Sequence, residues 1–110
     1  FNNIPSFLGL KQTSQTITAD GSTTTAVDVT SAVTEINASS ATHTCAMADG
    51  SDGQIKIIIN TSTSGTNAVT ITPANFSNTS FALNAPGETA VCIFKNSKWY
   101  IIGGNGYAIS

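Results

Sequence analysis

Short β-prone runs recur along this chain at intervals of roughly 8–12 residues, each closed by a turn former. "QTITA" (Gln15–Ala19) stops at Asp20-Gly21. "TAVDV" (Thr25–Val29), "AVTEIN" (Ala32–Asn37) and "THTCAMA" (Thr42–Ala48) follow, the last running into Asp49-Gly50 and Asp52-Gly53. "QIKIIIN" (Gln54–Asn60) is the strongest strand, with Ile55, Ile57 and Ile59 on one face. "AVTIT" (Ala68–Thr72) stops at Pro73, "SFALN" (Ser80–Asn84) at Pro86-Gly87, and "TAVCIF", "KWYII" and "GYAIS" complete the chain. Many short strands at even spacing predict an all-β fold: one antiparallel β-sandwich or jelly-roll-like domain over residues 13–110. The one ambiguous place is Val33–Ala38, where "TSAVTEI" also suits a single helical turn capped by Thr30 or Ser31.

The stretch Val91–Gly106, "VCIFKNSKWYIIGGNG", reads as a hairpin turning at Asn96-Ser97. A two-residue turn pairs Phe94 with Trp99, Ile93 with Tyr100, Cys92 with Ile101 and Val91 with Ile102. One face then carries Cys92, Phe94, Trp99 and Ile101, and the other Val91, Ile93, Tyr100 and Ile102. Both faces are apolar and both need covering. The "GGNG" that follows lacks the spacing of a dinucleotide loop and reads as a loop before a last short strand.

Covering two apolar faces matters in a chain whose surface is uncharged. Only 9% of the residues are charged, there is no arginine, and the formal net charge is −2. Four scattered lysines form no basic patch, which argues against nucleic acid as a partner. No apolar run reaches the ~18–20 residues of a membrane helix, so no membrane contact is expected. The chain opens on Phe1 rather than Met, as a processed chain or a piece of a longer one would.

Residues with chemical potential are few. His43 is the only histidine, and with Cys45 at i+2 it shares one strand face; a catalytic dyad would still need an orienting group and an oxyanion hole. Cys45 and Cys92 read as small buried hydrophobes or as a disulfide pair, since sequence cannot place their Cα atoms. Asp49 and Asp52 in "DGSDG" lie three apart, unlike the alternating ligands of a calcium loop. Three of the six acids precede or enclose glycines and read as turn formers. No catalytic, cofactor or metal residue is assigned, and no enzyme activity is expected. Among the aromatics, Phe76 and Tyr107 are the two expected at the surface, where a glycan could stack.

Phe1–Leu10, "FNNIPSFLGL", stands apart. Phe1, Ile4, Phe7, Leu8 and Leu10 are apolar without strand alternation, and Pro5 and Gly9 break any long element. Residues 1–12 are therefore expected to form an extended apolar arm, lying on its own domain or docked on a neighbour, because exposed Phe and Leu clusters are costly in water.

Three stretches, "ADGSDGQIKIIIN", "AVTITPANF" and "KWYIIGGNGYA", resemble a module of virion structural proteins of tailed bacteriophages. In that module an "ADG…GQ-K" turn leads into an apolar strand and a "GKWYI-x-GGNGA" hairpin ends the domain. Asn96-Ser97 stands here where that family often has Asp/Asn-Gly. The resemblance covers Thr16 to Ile109 and leaves the arm outside. It implies a β-rich head-decoration, head-fibre or tail-fibre domain, often trimeric. The expected function is a capsid decoration or cement protein on the virion surface, contacting the major capsid protein or another virion protein. Attachment is expected through Phe1, Ile4, Phe7, Leu8 and Leu10, and a homotrimer interface at Val91, Ile93, Tyr100 and Ile102. The alternative is a receptor-binding or fibre-tip domain that grips a host glycan.

Overall fold

The computed structural model of the chain describes residues 11–21, 23–39, 42–63 and 67–110. Within them lie ten strands: β1 (Ser14–Ala19), β2 (Thr25–Val27), β3 (Val33–Ala38), β4 (Thr42–Met47), β5 (Ile55–Asn60), β6 (Ala68–Pro73), β7 (Phe81–Leu83), β8 (Thr89–Lys95), β9 (Lys98–Asn105) and β10 (Ala108–Ile109). They form two five-stranded sheets, A in the order β1-β3-β5-β8-β9 and B in the order β10-β7-β6-β4-β2. The described residues contain no helix, and Val33–Ala38 is strand. Side chains alternate there between half-buried and buried, as on a sheet between solvent and core.

The sandwich expected from the sequence is present, but its strand directions are a correction. The first six strands alternate between the sheets, so each passage through sheet B is the crossover that a parallel pair in sheet A needs. β1 pairs parallel with β3 and β3 with β5; β2 pairs parallel with β4 and β4 with β6. Only then does the chain reverse, adding β7 and β10 antiparallel to sheet B and the β8–β9 hairpin antiparallel to sheet A. The sheets are therefore mixed: a flattened coil of three turns closed at one end by antiparallel strands. A jelly roll's Greek keys are antiparallel, so that part of the expectation does not describe these strands. The coil left no sequence repeat, because β1, β3 and β5 begin at residues 14, 33 and 55, at unequal spacing.

The inner faces close on one core. Sheet A contributes Ile17, Ile36, Ile58, Cys92, Phe94 and Trp99, and sheet B Val27, Cys45, Met47, Val69, Ile71, Phe81 and Leu83. Where the chain crosses from β5 toward β6, fully buried Asn60 ties the layers together. Its Nδ2 donates to the carbonyls of Asn67 (2.9 Å) and Leu83 (3.1 Å), and its Oδ1 accepts from the Ser62 N–H (3.0 Å). Backbone groups left open by the crossing are satisfied by this one side chain.

The hairpin turn falls where the sequence puts it. Asn96 and Ser97 have φ of 52° and 63°, the paired positive values of a tight two-residue hairpin turn. Phe94 faces Trp99, Ile93 faces Tyr100 and Cys92 faces Ile101 as expected, but Val91 faces Gly103 instead of Ile102. A bulge between Val91 and Cys92 makes Ile102 the extra residue. β9 then runs on through Gly103, Gly104 and Asn105, where the glycines of "GGNG" predict a loop.

Candidate functional site: the outer face of sheet A

Side-chain alternation in β5 separates two sets of residues, and the set turned inward is not the all-isoleucine one. Lys56, Ile58 and Asn60 are fully buried, while Ile57 and Ile59 are half-buried and Ile55 is 50% exposed. The isoleucine face looks outward. Strand pairing extends it sideways: Ile55 sits opposite Ile93, and Ile93 opposite Tyr100. One step along, Val33 faces Ile57 and Ile57 faces Val91. Two apolar rows thus each cross three strands of sheet A. At the β9 rim Tyr100 is 36% and Ile102 57% exposed.

Of the interface residues expected from the sequence, Val91 and Ile93 are half-buried in the middle of this face and Tyr100 and Ile102 stand at its rim. Sequence reasoning missed Ile55 and Ile57 as members of the same surface. Their shared face was legible, but its pairing beside β8 is a long-range fact. Phe1, Ile4, Phe7, Leu8 and Leu10 lie outside the described residues. The outer face of sheet B differs in kind: Ala26, Thr42, Thr44, Ala46 and Thr72 give it small and hydroxylated side chains.

Lys56 is the price of the outward isoleucines. Its fully buried ammonium donates to the Ser31 carbonyl at 2.6 Å and to Asp28 Oδ1 at 3.4 Å, where the chain passes from β2 to β3. Burial holds its pKa below the usual lysine value, against the opposing pull of Asp28. For Asp28 burial works upward, but the Ser31 N–H, the Lys56 charge and the Ser31 hydroxyl outweigh it, and its carboxyl lies below the usual range. A buried pair of this kind often contributes little net stability, although removing one partner alone is harmful. Replacing both partners together, Lys56→Met with Asp28→Ala, is therefore expected to be neutral or to stabilise by up to about 2 kcal/mol in urea melts. Asp28→Ala should destabilise by about 2–3 kcal/mol, below the full value for a buried pair because water reaches Asp28. Equal losses from both variants would contradict this account.

His43 and Cys45 share the inner face of β4, both buried. The Gly21 N–H donates to His43 Nδ1 at 3.0 Å, which leaves the ring proton on Nε2 for Thr25 Oγ1, also at 3.0 Å. Both ring nitrogens are thus occupied in holding the β1–β2 turn. Burial pushes the Cys45 thiol up to about 11, and pushes Cys92 up to about 12 against the nearby Lys56 charge. Neither is a ready thiolate at neutral pH. The two cysteines are free.

These thiols predict an alkaline weakness. Each folded pKa lies above the ordinary 9.0, so the folded chain keeps protons that the unfolded chain releases. The stability this gives is complete below pH 9.0 and is lost as pH rises toward about 11 and about 12. Each thiol contributes a slope of about 1.4 kcal/mol per pH unit, while the lowered Lys56 acts in the opposite sense below 10.5. Urea midpoints should therefore fall as pH rises from 9 toward 10, and Cys45→Ala with Cys92→Ala should flatten or reverse that trend. An unchanged slope in the double variant would show that the thiols are not its source.

The "DGSDG" acids do not act together. Asp49 accepts from Asn75 Nδ2 at 2.8 and 3.1 Å, whereas Asp52 accepts from Lys95 Nζ at 2.8 Å and the Asn96 N–H at 3.2 Å. One carboxylate fixes the loop after β6, the other the β8–β9 turn. No group of three or more His, Cys, Asp or Glu able to hold a metal occurs among the described residues. Phe76, expected at the surface, is buried against Phe81 with ring centroids 5.5 Å apart, and Tyr107 is half-buried. No family model, curated protein or solved structure matches the chain.

Proposed function

We propose that this chain is a structural protein of a tailed-phage virion, a head decoration or cement protein that assembles as a homotrimer. The carrying observation is the apolar outer face of sheet A, where Ile55, Tyr100 and Ile102 are three of the four exposed large hydrophobic residues among those described, the fourth being Ile109 on β10. Large exposed apolar patches mark interaction surfaces. Val91, Ile93, Tyr100 and Ile102 would meet sister subunits, and the Phe1–Leu10 arm would contribute to attachment to the major capsid protein or a neighbour. The resemblance of "ADGSDGQIKIIIN" and "KWYIIGGNGYA" to virion modules supplies the biological setting. In this reading the chain works by binding and carries out no reaction.

The test is the copy number of the chain in purified particles of the phage that encodes it, by quantitative mass spectrometry, with antibody labelling in the electron microscope. Hundreds of copies over the head would support decoration. A few copies at the tail would replace it with the fibre-tip reading, and glycan arrays would then be the next experiment. Absence from particles would overturn both.

A further inference from the structure

We propose that His43 is an acid-sensitive tie, whose protonation releases Gly21, just past the end of β1, and Thr25, at the start of β2, from β4. His43 is the only histidine of the chain and is 3% exposed. Its Nδ1 accepts from the Gly21 N–H at 3.0 Å, so Nδ1 carries no proton and Nε2–H is the donor to Thr25 Oγ1, also at 3.0 Å. An imidazolium carries a proton on both nitrogens. Protonated in place, His43 would set N–H against N–H across the contact to Gly21 and leave a charge in the interior. The hydrogen bond and the burial both require the neutral ring.

The tied arrangement thus binds one proton fewer than one in which water reaches Nδ1, so acid favours release. Below the titration of the released ring, each pH unit shifts the ratio of released to tied chain about tenfold. Release can stay local. β2 is a three-residue strand at the edge of sheet B, and Val27 anchors its far end in the core. The surroundings do little to hold a charge on the ring. β6 sets uncharged Val69 opposite His43, and the inner faces of β1 and β3 carry only uncharged side chains. Cys45, on the same face of β4, stays protonated, because burial pushes its thiol up to about 11. On β5, Lys56 is held by Asp28, which lies three residues beyond Thr25, ~10 Å along the chain. The nearest carboxyl in sequence is Asp20, beside Gly21. Ionised, it favours the imidazolium, and its own titration in acid has to be separated from that of His43. The inference holds whether or not the chain is a virion protein.

An NMR titration of the full ¹⁵N-labelled chain from about pH 7.5 to about 4.5 tests this, with one imidazole to observe. At the neutral end the ring shifts should report a bare Nδ1 and a protonated Nε2. As pH falls, protonation of Nδ1 should coincide with a loss of about tenfold or more in the protection factor of the Gly21 amide. The Ile36 and Ile71 amides, in central strands of the two sheets, should keep theirs. His43→Asn offers the Gly21 N–H a neutral acceptor oxygen and leaves Asp20 in place, so its Gly21 protection should not change with pH. A ring that protonates while Gly21 stays protected would overturn the proposal. So would a ring still neutral at the acid end, or a loss shared by Ile36 and Ile71. The same acid loss in His43→Asn would overturn it too, and would assign the effect to Asp20. Should that variant fail to fold, Asp20→Asn replaces it: the acid loss must persist there, and its disappearance would overturn the proposal.

Discussion

Trp99→Ala is expected to cost about 3–5 kcal/mol, the range for truncating a buried aromatic to alanine. Trp99 is fully buried. Its ring packs edge-on to Phe94 with centroids 5.2 Å apart, and its Nε1–H donates to the Ala48 carbonyl at 2.9 Å. The same residue seals an edge of sheet A: its N–H donates to the Asn75 carbonyl and its carbonyl accepts from the Ser77 N–H, both at 3.0 Å. The indole lies so close to Gly50 that a Cβ there would stand 2.7 Å from Trp99 Cζ2. One side chain thus joins the β8–β9 hairpin, the "DGSDG" turn and the loop after β6, and its loss leaves a cavity against all three. Trp99→Phe should fall between wild type and Trp99→Ala, since it keeps much of the packing but strands the Ala48 carbonyl. A loss below 1 kcal/mol for Trp99→Ala in denaturant melts would contradict the burial.

Gly104→Ala should cost about 3 kcal/mol or more, while Gly103→Ala, one residue away, should cost less than about 1 kcal/mol. Gly104 has φ of +135°, where a side chain is strained. A Cβ there would sit 2.3 Å from the Thr89 carbonyl oxygen and 2.9 Å from Ala90 Cα. Those are backbone atoms of the partner strand and cannot swing aside, so the end of the β8–β9 ladder must part. Around Gly103 nothing lies within 4 Å of a new Cβ and φ is not positive. The two variants share composition and location and differ only in this geometry. Equal melting midpoints would refute the close approach. Selective loss of amide protection at the Thr89–Val91 end of β8 in Gly104→Ala would locate the damage.

Several features were legible because they are local. Asn96 and Ser97 sit where β-branched or apolar residues would resist positive φ, so the turn followed from residue type, and with it the pairings from Phe94–Trp99 to Cys92–Ile101. The Gly pair showed the limit of such reasoning. In sequence Gly103-Gly104 reads as a break; in the structure the absence of a Cβ is what lets β9 approach Thr89 and continue.

The sequence by itself determined that the chain is β throughout, where most strands begin and end, and that the last hairpin is apolar on both faces. These depend on backbone preference, turn chemistry and a two-residue period, all readable within a few positions. Which way the strands run was decided only by tertiary structure, because a short strand carries no mark of its partner: β1 meets β3 and β3 meets β5 across intervening strands of the other sheet. The same holds for the candidate site. Alternation in "QIKIIIN" separates Ile55, Ile57 and Ile59 from Lys56, Ile58 and Asn60 but does not say which set faces the core. Lys56 goes inward because Ser31 and Asp28 wait at the β2–β3 crossing, and Asn60 because Asn67, Leu83 and Ser62 offer it backbone partners. With those polar groups satisfied inside, Ile55, Ile57 and Ile59 are left on the outer face.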